Sequence, residues 1–207
     1  FDTKNYGSNK TVTVNSITLA NGSNGGLAAN YSISPGQTTT AHISKKLLTV
    51  SSISASNKAY DGNAIATSTI TLSGFVGSET LTSSNLSSFN NKNVGTGKTV
   101  TVNSITLANG TNGGLATNYS ISSGQNTTAN ITAKALTVSG ITASNKTYDG
   151  NNAATLDTMS IVYNGIVAGD DFTGTYSGVF ADANVGANKT VTITPTYSGA
   201  DVGNYSV

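Results

Sequence analysis

The chain has 207 residues, a formal net charge of +1, only 9% charged residues, and ten lysines with no arginine. It therefore lacks the basic patch that nucleic acid or an anionic membrane surface requires, and the planar cation that grips phosphate or carboxylate in two places. With no cysteine and one histidine it can build neither a disulfide nor a thiolate or histidine metal cluster.

Its apolar residues are mostly Val, Ile, Leu, Ala and Tyr, set among Ser, Thr, Asn and Gly, which favours strands with polar outer faces and turn-rich connections. No apolar run approaches the ~20 residues of a membrane-spanning helix, so membrane insertion is not expected. The opening FDTKNYGSNK does not read as a signal peptide.

In chain order, the segment FDTKNYGSNKTVTVNSITLANGSNGGLAANYSIS from Phe1 carries a KTVT strand and an NYS strand, and TTTAHIS follows. His42 reads as an exposed strand residue, because Asn130 later holds the same place. In LLTVSSISA, Leu48 and Val50 share one face while Ile53 and Ala55 continue on the opposite parity. Such a change means a bulge or a strand that passes between sheets, and Gly140 occupies that place in the next copy. IATSTITLS turns Ala66, Ile70 and Leu72 inward, with Met159, Ile161 and Tyr163 in the matching later places.

GFVGSETL and GIVAGDDF are turns with acidic tips at Glu79 and at Asp170 and Asp171, read as solvated. KTVTVNSITL buries Val100 and Val102, shifts parity near Asn103–Ser104, and resumes with Ile105 and Leu107. Its later version keeps one parity through Val191, Ile193 and Tyr197, where Pro195 marks an edge or strand end. NYSIS and TTANIT close the unit, and no segment shows sustained helical periodicity. The alternating threonines Thr69/Thr71, Thr99/Thr101 and Thr190/Thr192/Thr194 are expected to face solvent.

These elements recur. Phe1 and Phe89 open near-identical segments at an offset of 88, and a third version begins at Phe180, 91 further on. About three residues enter the last copy between its Tyr-Asp-Gly triplet and Gly165. The phase gives the C-terminal part of a repeat at 1–45, a complete repeat at 46–133, and a repeat at 134–207 lacking its final strand. The expected fold is all-β: tandem antiparallel, Ig-like β-sandwich domains joined end to end by very short linkers, as the run from ANITAK into ALTVSG requires. The chain then reads as a section of a longer array, each copy a self-contained unit adding roughly 35–45 Å of stalk.

The candidate site is the twin octapeptide SNKAYDGN and SNKTYDGN, with Tyr60, Asp61 and Gly62 matched by Tyr148, Asp149 and Gly150. A structural turn is the expected role. Tyr is a large amphipathic anchor, Asp bonds the backbone two residues on, Gly accepts positive φ, and Lys58 or Lys146 shields the carboxylate. No nucleophile, base and orienting acid recur together, so no catalytic residue, metal site or cofactor is assigned. Sequons such as those at Asn21, Asn118, Asn130, Asn145 and Asn204 are what so much Asn, Ser and Thr produces.

The order ALTVSGITASNKTYDGN, then G-[FI]-V, NVGxxKTVT and NYS, resembles the YDG-type repeat of large, filamentous-haemagglutinin-like bacterial surface adhesins. The resemblance implies a secreted, extracellular β array at the cell surface, non-enzymatic, serving adhesion or biofilm formation, with neighbouring repeats as its first partners. One alternative is a carbohydrate-binding module using Tyr119, Tyr163, Tyr176 or Tyr197 as a platform for surface glycans. The other is a filament subunit that joins identical chains by strand complementation.

Overall fold

The computed structural model describes residues 1–207. It is all-β, its only helical pieces being three single 3₁₀ turns at Ala28–Asn30, Ala116–Asn118 and Val202–Asn204, each just before or within an Asn-Tyr-Ser segment. The sheets are small and none closes into a barrel. The largest has five strands in the order Lys58–Ala59, Asn126–Thr132, Gly95–Asn109, Leu81–Phe89 and Ile65–Ala66. A three-stranded sheet in the third copy orders Ala153–Ala154, Thr173–Phe180 and Val191–Ser198. It is the five-stranded sheet without counterparts of its first two strands.

The pairing is mixed, which corrects the purely antiparallel expectation. Lys46–Leu47 pairs parallel with Tyr119–Ser120, Lys134–Ala135 parallel with Tyr205–Ser206, and Lys58–Ala59 parallel with Ile131–Thr132. Short Gly and Asn turns predict antiparallel neighbours, but these partners lie more than seventy residues apart, where the chain can return in the same direction.

Two compact units form. One comprises Phe1–Ser52, Ile70–Asn85 and Ser104–Ser123; the other comprises Ile53–Thr69, Leu86–Asn103 and Gly124–Val207. The strand Thr49–Ala55 divides between them at Ser52/Ile53 and the strand Gly95–Asn109 at Asn103/Ser104. Those are the places where the sequence changes parity. Val100 and Val102 are buried on one side of the second switch, and Ile105 and Leu107 are half-buried on the other. The parity changes thus coincide with the places where the two strands divide between the units.

In the second unit one cluster holds Tyr60, Ala66, Phe89, Val100, Ala129 and Ile131 from the middle copy together with Leu136, Phe172 and Tyr205 from the third. The copies therefore do not bury separate cores, contrary to the expectation of self-contained units. The aromatic members meet edge to face: Phe172 lies 5.4 Å from Tyr205 and 5.5 Å from Tyr163.

Met159 is not inward. It is 96% exposed in a turn where its backbone N–H donates to Asp157 Oδ1. The strand Ser68–Ser73 of the middle copy is split in the third into Leu156–Asp157 and Val162–Asn164. The three extra residues are absorbed between these pieces, which lifts Met159 off the face that Ile70 occupies. Gly140 (φ 85°) lies against this break: a Cβ there would collide with the Ser160 carbonyl.

Candidate functional site: a recurring junction between copies

The two Tyr-Asp-Gly turns are built alike. Asp61 Oδ1 accepts the Asn63 N–H at 3.1 Å, as Asp149 Oδ1 accepts that of Asn151 at 3.1 Å. Lys58 Nζ donates to Asp61 Oδ1 at 2.7 Å and to the Asn63 carbonyl at 2.9 Å. Lys146 does the same with Asp149 and Asn151, at 2.8 and 2.7 Å. Gly62 and Gly150 both sit at φ 81°. Each aspartate is held below its ordinary pKa. At Asp149 the chief cause is the Lys146 ammonium; at Asp61 burial pushes upward and the Lys58 bond outweighs it together with the Asn63 N–H.

The tyrosines part company. Tyr148 is 64% exposed, whereas Tyr60 is 1% exposed and belongs to a polar network inside the second unit. The Tyr60 hydroxyl donates to Asp170 Oδ2 at 2.8 Å, and the Tyr205 hydroxyl donates to the same oxygen at 2.6 Å. Lys92 Nζ completes the set, 3.1 Å from Asp170 Oδ1 and 2.9 Å from Asp201 Oδ1. Backbone groups fix the loops: the Val167 N–H donates to the Tyr205 hydroxyl at 2.8 Å and the Val94 N–H to Asn204 Oδ1 at 2.9 Å. Tyr60 and Lys92 come from the middle copy, Asp170, Asp201, Asn204 and Tyr205 from the third.

The first unit contains the same arrangement one copy earlier. The Tyr119 hydroxyl donates to Glu79 Oε2 at 2.6 Å, and Lys4 Nζ lies 2.7 Å from Glu79 Oε1. The Val76 N–H donates to the Tyr119 hydroxyl at 3.2 Å, and the Tyr6 N–H to Asn118 Oδ1 at 2.9 Å. Lys4, Glu79, Asn118 and Tyr119 thus repeat as Lys92, Asp170, Asn204 and Tyr205.

This corrects the solvated-turn reading at Glu79 and Asp170, whereas Asp171 is exposed as expected. The Asp170 side chain is 4% exposed, which alone would raise its pKa, yet the hydroxyls of Tyr205 and Tyr60 and the Lys92 ammonium keep it below the ordinary value. Lys4, then Tyr119, lowers Glu79. Asp201 is lowered chiefly by Lys92, and Lys92 is raised by Asp201, Tyr60 and Asp170. Burial and the Asp170 carboxylate push the Tyr205 hydroxyl up to about 12. Positive charge beside the carboxylates is supplied by lysine, and no group of three or more His, Asp or Glu is placed to hold a metal ion.

Tyr119 is buried; Tyr163, Tyr176 and Tyr197 are half-buried, with the Tyr176 and Tyr197 rings at 81° to each other, so they present no coplanar exposed platform. His42 is exposed, and its Nδ1 accepts the Asn9 N–H at 3.4 Å, as Asn130 Oδ1 accepts the Gly97 N–H at 2.8 Å. The sequon residues Asn118 and Asn204 have their amides committed to the junctions. Sequence reasoning missed Lys4, Lys92, Asn118, Asn204 and the polar role of Tyr205. Their signal was the return of Lys, an acidic residue, Asn and Tyr one copy later, at offsets of 88, 91, 86 and 86.

A family model described as the YDG domain matches residues 44–129 and again residues 132–207. Neither the curated proteins nor the solved structures contain a match. With two matched segments covering more than half of its length, the chain belongs to the YDG domain family.

Proposed function

We propose that the chain is a non-enzymatic spacer: Ig-like β-sandwich copies in tandem, forming part of a secreted bacterial surface adhesin or extracellular fibre that supports cell adhesion or biofilm formation. The observation that carries this reading is the recurrence of one polar junction, Lys4–Glu79–Tyr119 and Lys92–Asp170–Tyr205, at successive copies. The charged groups that a catalytic site would leave open to a substrate are here committed to fixing one copy against the next. Neighbouring repeats are then the first partners, and the extracellular location follows from the resemblance of the motif order to adhesin repeats.

Two measurements on the 207-residue chain test the proposal. A glycan array is expected to show no saturable binding; binding that survives mutation of the junction residues would make this a sugar-binding module instead. Small-angle scattering on chains carrying extra copies of 46–133 is expected to show the largest dimension rising by a constant increment, roughly 35–45 Å per copy. A dimension that stays flat as copies are added would overturn the spacer reading.

A further inference from the structure

Lys92 meets two carboxylates where an ion pair needs one. Its Nζ lies 3.1 Å from Asp170 Oδ1 and 2.9 Å from Asp201 Oδ1. Both acids are withdrawn from water, the Asp170 side chain to 4% exposure and that of Asp201 to 14%. Lys92 sits between the strands Leu81–Phe89 and Gly95–Asn109, whereas Asp170 and Asp201 flank the strands Thr173–Phe180 and Val191–Ser198.

The groups around this contact do more than neutralise charge. The other Asp170 oxygen, Oδ2, accepts the hydroxyls of Tyr60 at 2.8 Å and Tyr205 at 2.6 Å. Two donors on one carboxyl oxygen polarise the carboxyl carbon and stand where negative charge gathers when a nucleophile adds to it. Burial above all raises the pKa of both phenols, which keeps them in the donating form. Asp201 is fixed independently of the lysine: its Oδ2 accepts the Asp171 N–H at 3.1 Å, and its own N–H donates to the Asp171 carbonyl at 3.1 Å. Tyr60, Phe172 and Tyr205 line the surrounding core and are buried.

We propose that Lys92 and Asp170 condense into an intramolecular amide, a covalent clasp between the middle copy and the third. The Lys92 ammonium passes one proton to Asp201, and the freed amine adds to Asp170 Cγ. The Tyr60 and Tyr205 hydroxyls hold the charge that develops on Oδ2. The Nζ–Cγ bond forms and the Cγ–Oδ1 bond breaks. Oδ1 leaves as water, carrying the proton that Asp201 returns and a second proton from Nζ. Ammonium and carboxylate thus become amide and water, Asp201 is regenerated, and no other reactant enters.

Free lysine and aspartate do not condense in water, but well-oriented groups held in contact reach effective molarities of about 10⁵–10⁸ M. The ion pair is the form from which the bond grows, so the amide accumulates with time. The first unit supplies a built-in control. Lys4 lies 2.7 Å from Glu79 but is 70% exposed, Glu79 accepts a single tyrosine hydroxyl, and no second carboxylate meets the lysine. That pair is expected to stay ionic. The clasp goes beyond the spacer reading and does not rest on it, since all its groups lie within the second unit.

The test incubates the folded 207-residue chain at neutral pH for several days, then denatures it and measures its intact mass. Most molecules are expected to be lighter by one water. Trypsin is then expected to leave Lys92 uncut and to release residues 59–98 joined to residues 147–189 through Lys92 and Asp170. Asp170→Ala is expected to keep its full mass. Asp201→Asn, which can still bond the Asp171 amide but cannot relay the proton, is expected to lose water about a hundredfold more slowly, with circular dichroism reporting its fold. If the unaltered chain keeps its full mass throughout, the contact is an ion pair only and the proposal is overturned. Water loss confined to cyclised Asp61 or Asp149, with Lys92 still cut, would overturn it too, as would a Lys4–Glu79 link of equal yield. Asp201→Asn reacting as fast as the unaltered chain would overturn the relay.

Discussion

Ser56–Asn63 and Ser144–Asn151 differ at a single residue, Ala59 against Thr147, and their turns share the same hydrogen bonds, yet one tyrosine is buried and the other is not. The local sequence therefore fixes the turn but not the fate of the aromatic ring. What buries Tyr60 is the strand Asn126–Thr132 at its backbone and the third copy at its hydroxyl and ring, where Tyr205 packs edge to face at 5.6 Å. The octapeptide is a turn everywhere and a fastener only where another copy meets it.

The comparison breaks most visibly at the ring itself. Tyr60→Ala removes a fully buried aromatic and is expected to cost about 3–5 kcal/mol, while Tyr148→Ala, at an exposed site, is expected to stay within about 0.5 kcal/mol; urea unfolding of both variants reads the difference. The glycines sharpen it. Both sit at φ 81°, so Ala at either costs about 1–2 kcal/mol of left-handed strain, but at Gly62 a Cβ would also lie 2.7 Å from Val167 Cγ1, whereas at Gly150 it meets open space. Gly62→Ala is therefore expected to lower the urea midpoint more than Gly150→Ala.

Next come the two carboxylates. Asp170 accepts two hydroxyls and an ammonium, Glu79 one of each, so Asp170→Ala is expected to lower the melting temperature further than Glu79→Ala.

The smallest effect is on pH. Glu79, Asp170 and Asp201 all have depressed pKa values in the fold. Their stabilisation is whole above the ordinary carboxylate values of 3.8 and 4.5 and fades as the pH falls through the depressed folded ones. Tyr60 and Tyr205 are raised, so their contribution is whole below pH 10 and lost as the pH climbs, through about 12 for Tyr205. Stability measured against pH should thus fall off at both ends, and Tyr60→Phe should lessen the alkaline decline.

The all-β class, the offsets and the Asp-Gly turn were legible because each rests on short-range pattern: alternation, left-handed glycine, a carboxylate two residues from its amide. The parity switches at Ser51–Ser52 and Asn103–Ser104 were legible as anomalies, and they coincide with the places where the two strands divide between the compact units. The parallel pairs were not legible, since nothing local marks partners such as Lys46–Leu47 and Tyr119–Ser120. Nor was the burial of Asp170, because an acidic residue at a glycine-rich turn reads as solvated until the lysine and tyrosines that meet it are known. Met159 failed for a different reason: an insertion shifts register without changing the apolar pattern around it.

Tyr60 fastens the middle copy to the third through Asp170. A double-mutant cycle between Tyr60→Phe and Asp170→Ala, with Tyr148→Phe replacing Tyr60→Phe as control, tests it most directly. A coupling energy of about 0.5–3 kcal/mol for the Tyr60 pair, beside an additive control, is the expected result. Additivity within about 0.3 kcal/mol in both cycles would contradict it.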